Sequence, residues 1–229
     1  MIDSDYLVTF GDSWPAGVGL GPNDEKPYGA LLCDRLQIKN FYNGSIPGSS
    51  VSRLLLQLFD YISCHATVKN HIAIFFITTP GRSLLIDHDK NIINFNTPPP
   101  NSSNRNAVDR NKDLTEIYYK YLSTVPMDEF NVCRTILALQ QVCSQVGIQD
   151  FYIPGWLKMK LDWPGVEKQK IYPKTCTQIL GYSRDEYLAM QKVHSKYFLP
   201  CGHPNSHGHQ LIADYLYEWI KNKNVQPSI

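Results

Sequence analysis

Apolar positions along the chain follow two periods, and their alternation predicts the architecture. Tyr6 to Phe10 (YLVTF) is a short β-branched and aromatic run that stops at Gly11, which predicts a buried strand. Pro27 opens a segment with apolar residues at Tyr28, Leu31, Leu32 and Leu36; the spacing is helical, and proline suits a first turn. Phe41-Tyr42 is a short apolar segment before the turn-rich stretch Asn43 to Gly48. Ser49 or Ser50 is placed to cap a helix carrying Leu54, Leu55, Leu58, Phe59 and Ile62, with Leu54, Leu58 and Ile62 expected in the core. Ile72 to Thr78 (IAIFFIT) is the strongest strand signal. Its continuous apolar character suits a parallel strand covered on both faces.

Beyond it, 83–113 is polar and centred on Pro98 to Asn104. It is expected to be an insertion loop, either mobile or functional. Asp128 to Val146 has helical spacing at Val132, Ile136, Leu139, Val142 and Cys143, with Gly147 as its stop. Phe151 to Ile153 predicts another strand, and Leu157 to Thr177 is irregular. Ser183 to Glu186 has capping-box spacing ahead of Tyr187, Met190, Val193, His194 and Tyr197. Cys201 to His209 is expected as a loop, and Leu211, Ile212, Tyr215, Leu216 and Trp219 as a final amphipathic helix. There are no internal repeats. The alternation of strands and helices predicts one α/β domain over 1–229. Its expected form is three-layer α/β/α, flavodoxin-like, with a mostly parallel central sheet.

Composition narrows the classes of function. The 229 residues are 43% apolar and 19% charged, which excludes a disordered chain. Lys plus Arg number 22 against 21 Asp plus Glu, so the basic excess usual in duplex-binding proteins is absent and no nucleic-acid partner is expected. The longest apolar run, Ile72 to Ile77, is far short of a spanning helix, and no membrane association is expected. The acidic start, Met1 to Asp5, shows no export signal. A cytoplasmic protein, or one released by lysis or carried in a particle, fits that reading. Six cysteines occur without a C-x-x-C pair, and most are expected to be reduced.

Two segments carry chemistry. Gly11-Asp12-Ser13-Trp14 sits at the carboxyl end of the first strand, where open α/β sheets gather their ligands. Cys201-Gly202-His203-Pro204-Asn205-Ser206-His207-Gly208-His209 feeds the last helix. A serine hydroxyl is a weak nucleophile that needs an adjacent base, and folding can bring the His203 imidazole to Ser13.

These segments resemble the SGNH (GDSL-type) hydrolase superfamily. Phe10-Gly11-Asp12-Ser13 is similar to the family's first block, with Ser13 on the nucleophile. Asn43-Gly44-Ser45-Ile46-Pro47-Gly48 resembles the second, with Gly48 on an oxyanion-hole amide. His203-Pro204-Asn205, then Gly208-His209 and Ile212-Ala213, resembles HPNxxGHxxIA, with His203 on the base. The resemblance implies a serine esterase working through an acyl-enzyme. Ser13 and His203 are then catalytic, and Ser13, Gly48 and Thr79 hold the oxyanion, with no metal and no cofactor. A small-molecule or carbohydrate ester, O-acetyl groups included, is the implied substrate.

Two blocks depart from the family. After Ile72 to Thr78 the usual GxND is replaced by Thr78-Thr79-Pro80-Gly81-Arg82, so the asparagine donor is missing and Thr79 offers a hydroxyl instead. Pro200 and Cys201 stand where the triad acid belongs, three or two residues before the histidine. Removing that acid from serine triads costs roughly 10⁴ in rate. A catalytically degenerate glycan- or partner-binding protein of the same fold is therefore the alternative reading. Asp12 is expected to brace its loop, and Arg82 to bind an anion or pair with a carboxylate. Cys201, His203, His207 and His209 include metal-ligand types, but their spacing fits no common zinc pattern. Gly17, Gly19 and Gly21 lack the offset of a dinucleotide loop.

Overall fold

The computed structural model describes residues 4–21, 25–65, 67–79, 82–86, 92–95, 124–156, 160–183, 185–187 and 195–224. Strands β1 (Tyr6–Phe10), β2 (Asn40–Asn43), β3 (Ile72–Ile77) and β6 (Gln149–Pro154) form one sheet in the order β2-β1-β3-β6. Each neighbouring pair is parallel: Val8 faces Tyr42 and Ala73, and Phe75 faces Tyr152. All six residues of β3 are buried, as its unbroken apolar run predicts.

Side chains alternate across the strands, so the sheet feeds two apolar layers. Leu7, Ile74 and Phe76 pack on one side with Leu32 and Leu36 of α2 (Tyr28–Leu36) and Ile212, Leu216 and Ile220 of the final helix, Ser206–Asn224. Val8, Phe10, Ala73 and Phe75 pack on the other with Leu54 and Leu58 of α3 (Arg53–Cys64) and Val132, Ile136 and Leu139 of α4 (Val125–Val146). The result is the expected three-layer α/β/α arrangement. No described helix is long and apolar enough to cross a membrane, and the six cysteines are unpaired.

Several elements differ from expectation. Ser83–Ile86 (β4) and Ile92–Phe95 (β5) pair as an antiparallel hairpin, with Ser83 opposite Phe95 and Ile86 opposite Ile92. The strand-forming runs Leu84-Leu85-Ile86 and Ile92-Ile93 are masked in the sequence by the Pro/Asn/Ser-rich residues after them. The expected loop's centre, Pro98 to Asn104, lies outside the described residues. Helix α3 is capped at Ser52, not at Ser49 or Ser50, and without a side-chain bond. On it Phe59 is 51% exposed and Ile62 only partly buried, while Gln57 is buried. Helix α4 starts at Val125 because Thr124 accepts from the Met127 amide. Within the irregular stretch, Cys176–Ile179 forms a short helix, α5, closed by a Thr175/Gln178 capping box. The Ser183/Glu186 box forms as its spacing predicts. Met190, Val193 and His194 lie outside the described residues, and Tyr197 belongs to a loop. The final helix, α6, begins at Ser206, so His207 and His209 are helical.

Candidate active site

Strand β1 delivers Gly11, Asp12 and Ser13 to the carboxyl edge of the sheet. Gly11 is there because nothing larger fits: a Cβ would stand 2.6 Å from Pro15 Cγ and 2.8 Å from Phe76 Cβ. Asp12 is fully buried. Its Oδ1 accepts from the Trp14 amide at 3.0 Å and so caps α1 (Ser13–Ala16). Its Oδ2 accepts from Thr78 Oγ1 at 2.6 Å and from Arg82 Nη1 at 2.8 Å. Asp12 is thus a brace, and Arg82 pairs with a carboxylate while its guanidinium lies 4.9 Å over the Trp156 ring. The altered third block has a physical reason: Thr78 and Arg82 together satisfy the buried Asp12. Trp14 is buried below them against Phe76, Trp156, Tyr187 and Phe198. That packing fixes the turn bearing Ser13, which is half-buried. The Ser13 amide lies in a first helical turn, where no intrahelical acceptor exists.

The second block is bound directly to the first. Asn43 Oδ1 accepts from Thr9 Oγ1 and from the Ser45 amide, both at 3.1 Å, while its Nδ2 donates to the Pro15 carbonyl at 3.0 Å. The Ile46 amide donates to the Gly11 carbonyl at 3.0 Å. Sequence reasoning missed Gln57, which clamps both loops. It accepts from the Gly11 amide at 3.0 Å and donates to the Gly11 carbonyl and to Ser49 Oγ, each at 2.9 Å. The available signal was a polar residue between Leu54, Leu58 and Tyr61 on a buried helical face. Gly48, at φ +78, turns the loop beside Ser49. Among the described residues its amide has no acceptor. Thr79 comes after β3, and its Oγ1 is buried without a hydrogen-bond partner among the described residues.

His203 sits in a closed turn. The Leu199 amide donates to the His203 carbonyl at 2.8 Å, the Gly202 amide to the Leu199 carbonyl at 2.9 Å, and Tyr187 Oη to the Gly202 carbonyl at 3.0 Å. Asn205 anchors the entry to α6, donating to the Lys196 carbonyl at 3.0 Å and accepting from the Gly208 amide at 3.0 Å. The turn abuts the loop after Ser13: a Cβ on Gly19 would lie 2.6 Å from Leu199 Cδ1 and 3.8 Å from Cys201 Sγ. Burial holds the His203 pKa below its usual value; Asp12 pulls it up and Arg82 pushes it further down. The fold therefore brings His203 into the electrostatic field of the Asp12–Arg82 pair. Among the described residues no hydrogen bond joins Ser13 Oγ to His203. Its Nδ1 lies 3.3 Å from Cys201 Sγ.

The remaining histidines do other work. His209 is buried, and its Nδ1 accepts from the Tyr28 amide at 3.1 Å, tying α6 to α2. Burial, with His203 adding to it, pushes its pKa down to about 4. His207 is exposed. Among the described residues no three His, Cys, Asp or Glu side chains converge as a metal site would require.

No family model matches this chain. No curated protein sequence matches it either. Solved structures do. A protein of the G-D-S-L lipolytic family from Desulfitobacterium hafniense DCB-2 superposes with a TM-score of 0.54 at 13% identity, over 94% of this chain and 99% of that one. The lipase Lip_vut3 from a goat rumen metagenome gives 0.50 at 15% identity, over 93% and 96%. A carbohydrate esterase, whose active site is described as having divergent catalytic and non-catalytic binding functions, gives 0.50 at 12% identity, over 96% and 69%. At these identities the likeness is one of fold. The chain has the three-layer α/β/α fold of the SGNH (G-D-S-L) hydrolases, in a divergent sequence.

Proposed function

We propose that the protein is a serine ester hydrolase that removes a short acyl group, an O-acetyl group on a carbohydrate being the favoured substrate. The observation that carries this reading is that the loop after Ser13 packs, at Gly19, against Leu199 and Cys201 of the turn that bears His203, with burial lowering the His203 pKa. A neutral imidazole can accept the Ser13 proton as Oγ attacks the ester carbonyl. The amides of Ser13 and Gly48 and the unpartnered hydroxyl of Thr79 are the donors for the oxyanion. As the tetrahedral intermediate collapses, His203 returns its proton to the departing alcohol and an acyl-serine remains. Water then attacks that ester with His203 again as base; the carboxylic acid leaves and Ser13 is restored. The scheme needs no metal. Apo enzymes often lack a tight nucleophile–base hydrogen bond, so the lack of a Ser13–His203 hydrogen bond among the described residues is compatible with it. A small cleft beside the Gly48 loop carries Tyr42 and Asp60. An aromatic face with a nearby acceptor suits a sugar ring, and a carbohydrate esterase shares the fold.

The second reading, a binding protein that has lost the chemistry, is favoured by one observation: among the described residues no carboxylate hydrogen-bonds His203. Hydrolysis of p-nitrophenyl acetate by the wild type, Ser13→Ala and His203→Ala separates the two. The esterase reading expects both variants to lose about 10³-fold or more in kcat/KM. Equal rates in all three would leave only the binding reading.

A further inference from the structure

We propose that Cys201 is the positioning residue for His203, its sulfur standing where a triad carboxylate would otherwise stand. This rests on the reading of Ser13 and His203 as nucleophile and base. A histidine base works only in one tautomer: Nδ1 must carry the proton so that the Nε2 lone pair is free for the serine. The group that accepts from Nδ1–H selects that tautomer and fixes the ring. In this protein the atom at Nδ1 is Cys201 Sγ, 3.3 Å away. The turn makes the contact durable. The reciprocal Leu199–His203 and Gly202–Leu199 bonds close it, and the Tyr187 hydroxyl pins the carbonyl of Gly202. Gly202, between the two residues, has φ +79, a conformation that few other residues adopt. The carboxylate nearest the base in charge terms, Asp12, is already occupied by Trp14, Thr78 and Arg82.

Sulfur is a weaker acceptor than a carboxylate and, as a thiol, brings no negative charge. It can orient the imidazole but does little to stabilise the imidazolium formed in the transition state. The protein should therefore be a slow esterase that a carboxylate at 201 would speed. Cys201 is exposed, so its replacement leaves the core intact.

The test uses the full chain under reductant, with p-nitrophenyl acetate as substrate and nitrogen–proton spectra of the His203 ring as a second readout. Expected for Cys201→Ala is a kcat about tenfold lower with KM nearly unchanged, the loss of one neutral hydrogen bond. Cys201→Ser, whose oxygen also accepts, should stay within about threefold of wild type. Cys201→Asp should exceed wild type by about tenfold or more, part of the roughly 10⁴ that a triad acid supplies. The ring spectrum should show the Nδ1–H tautomer in the wild type and its loss in Cys201→Ala. Wild-type kcat in both Cys201→Ala and Cys201→Asp would overturn the proposal, as would an Nε2–H tautomer in the wild type. If Ser13→Ala kept full activity, the esterase reading would fail, and the spectrum alone would decide: a His203 ring unchanged in Cys201→Ala would overturn the contact.

Discussion

Thr79 holds a buried hydroxyl that has no hydrogen-bond partner among the described residues, an arrangement that costs about 1–3 kcal/mol where it occurs. A core position would shed it; a position reserved for a charge that exists only during reaction has a reason to keep it. Thr79→Val is isosteric and separates the two effects. The expected outcome is an unfolding free energy equal to wild type or about 1 kcal/mol higher, with kcat lower by about 10². Equal kcat would remove Thr79 from the oxyanion hole. At this scale Ser13, Gly48 and His203 stood out as candidates in the sequence because each lies in a short block with fixed spacing. The partner of Arg82 was not. Its link to Asp12 joins residues 70 positions apart, and only the packing of β1 against β3 makes them neighbours.

Among the elements, α3 does more than cover the sheet. Its Gln57 side chain ties the turn after β1 to the loop after β2, so two blocks distant in sequence move as one. Gln57→Leu would keep the volume and leave the Gly11 amide and Ser49 Oγ without their partner. The expected outcome is a loss of about 2–4 kcal/mol in urea unfolding, with a fall in kcat beyond what the loss of folded protein explains. A variant as stable and active as wild type would show that the loops hold their own geometry. Strands β1, β3 and β6 were legible from their apolar runs, β3 above all, and so were α2 and the body of α4, while β2 showed only as the short apolar segment Phe41-Tyr42. The start of α3 and the hairpin β4–β5 were not. Ser49 bonds Gln57 and the helix begins after Ser52, and the hairpin's strands are too short to stand out beside the polar stretch after them.

Across the whole molecule, the turn that bears His203 leads into α6, which packs on one face of the sheet beside α2. His209 docks α6 onto α2, and its burial makes that docking depend on pH. Linkage sets the sign. An unfolded histidine titrates near 6.5 and the folded one at about 4, so between these values the unfolded chain binds the extra proton. The contribution is complete above about pH 6.5 and is lost as the pH falls toward 4. Between about pH 7.5 and 5.5 the wild type should lose about 1 kcal/mol more stability than His209→Gln in urea unfolding; parallel losses would mean that His209 titrates freely. The three-layer order was legible from the alternation of strands and helices, whereas the partner of His209, the Tyr28 amide 181 positions away, was not. Whether Ser13 is a nucleophile activated by His203 is read most directly by intact-mass and peptide mapping after treatment with a fluorophosphonate. One adduct per chain is expected, on Ser13, formed in the wild type and absent in His203→Ala. A wild type that stays unlabelled, or an adduct on another residue that His203→Ala forms equally fast, would contradict it.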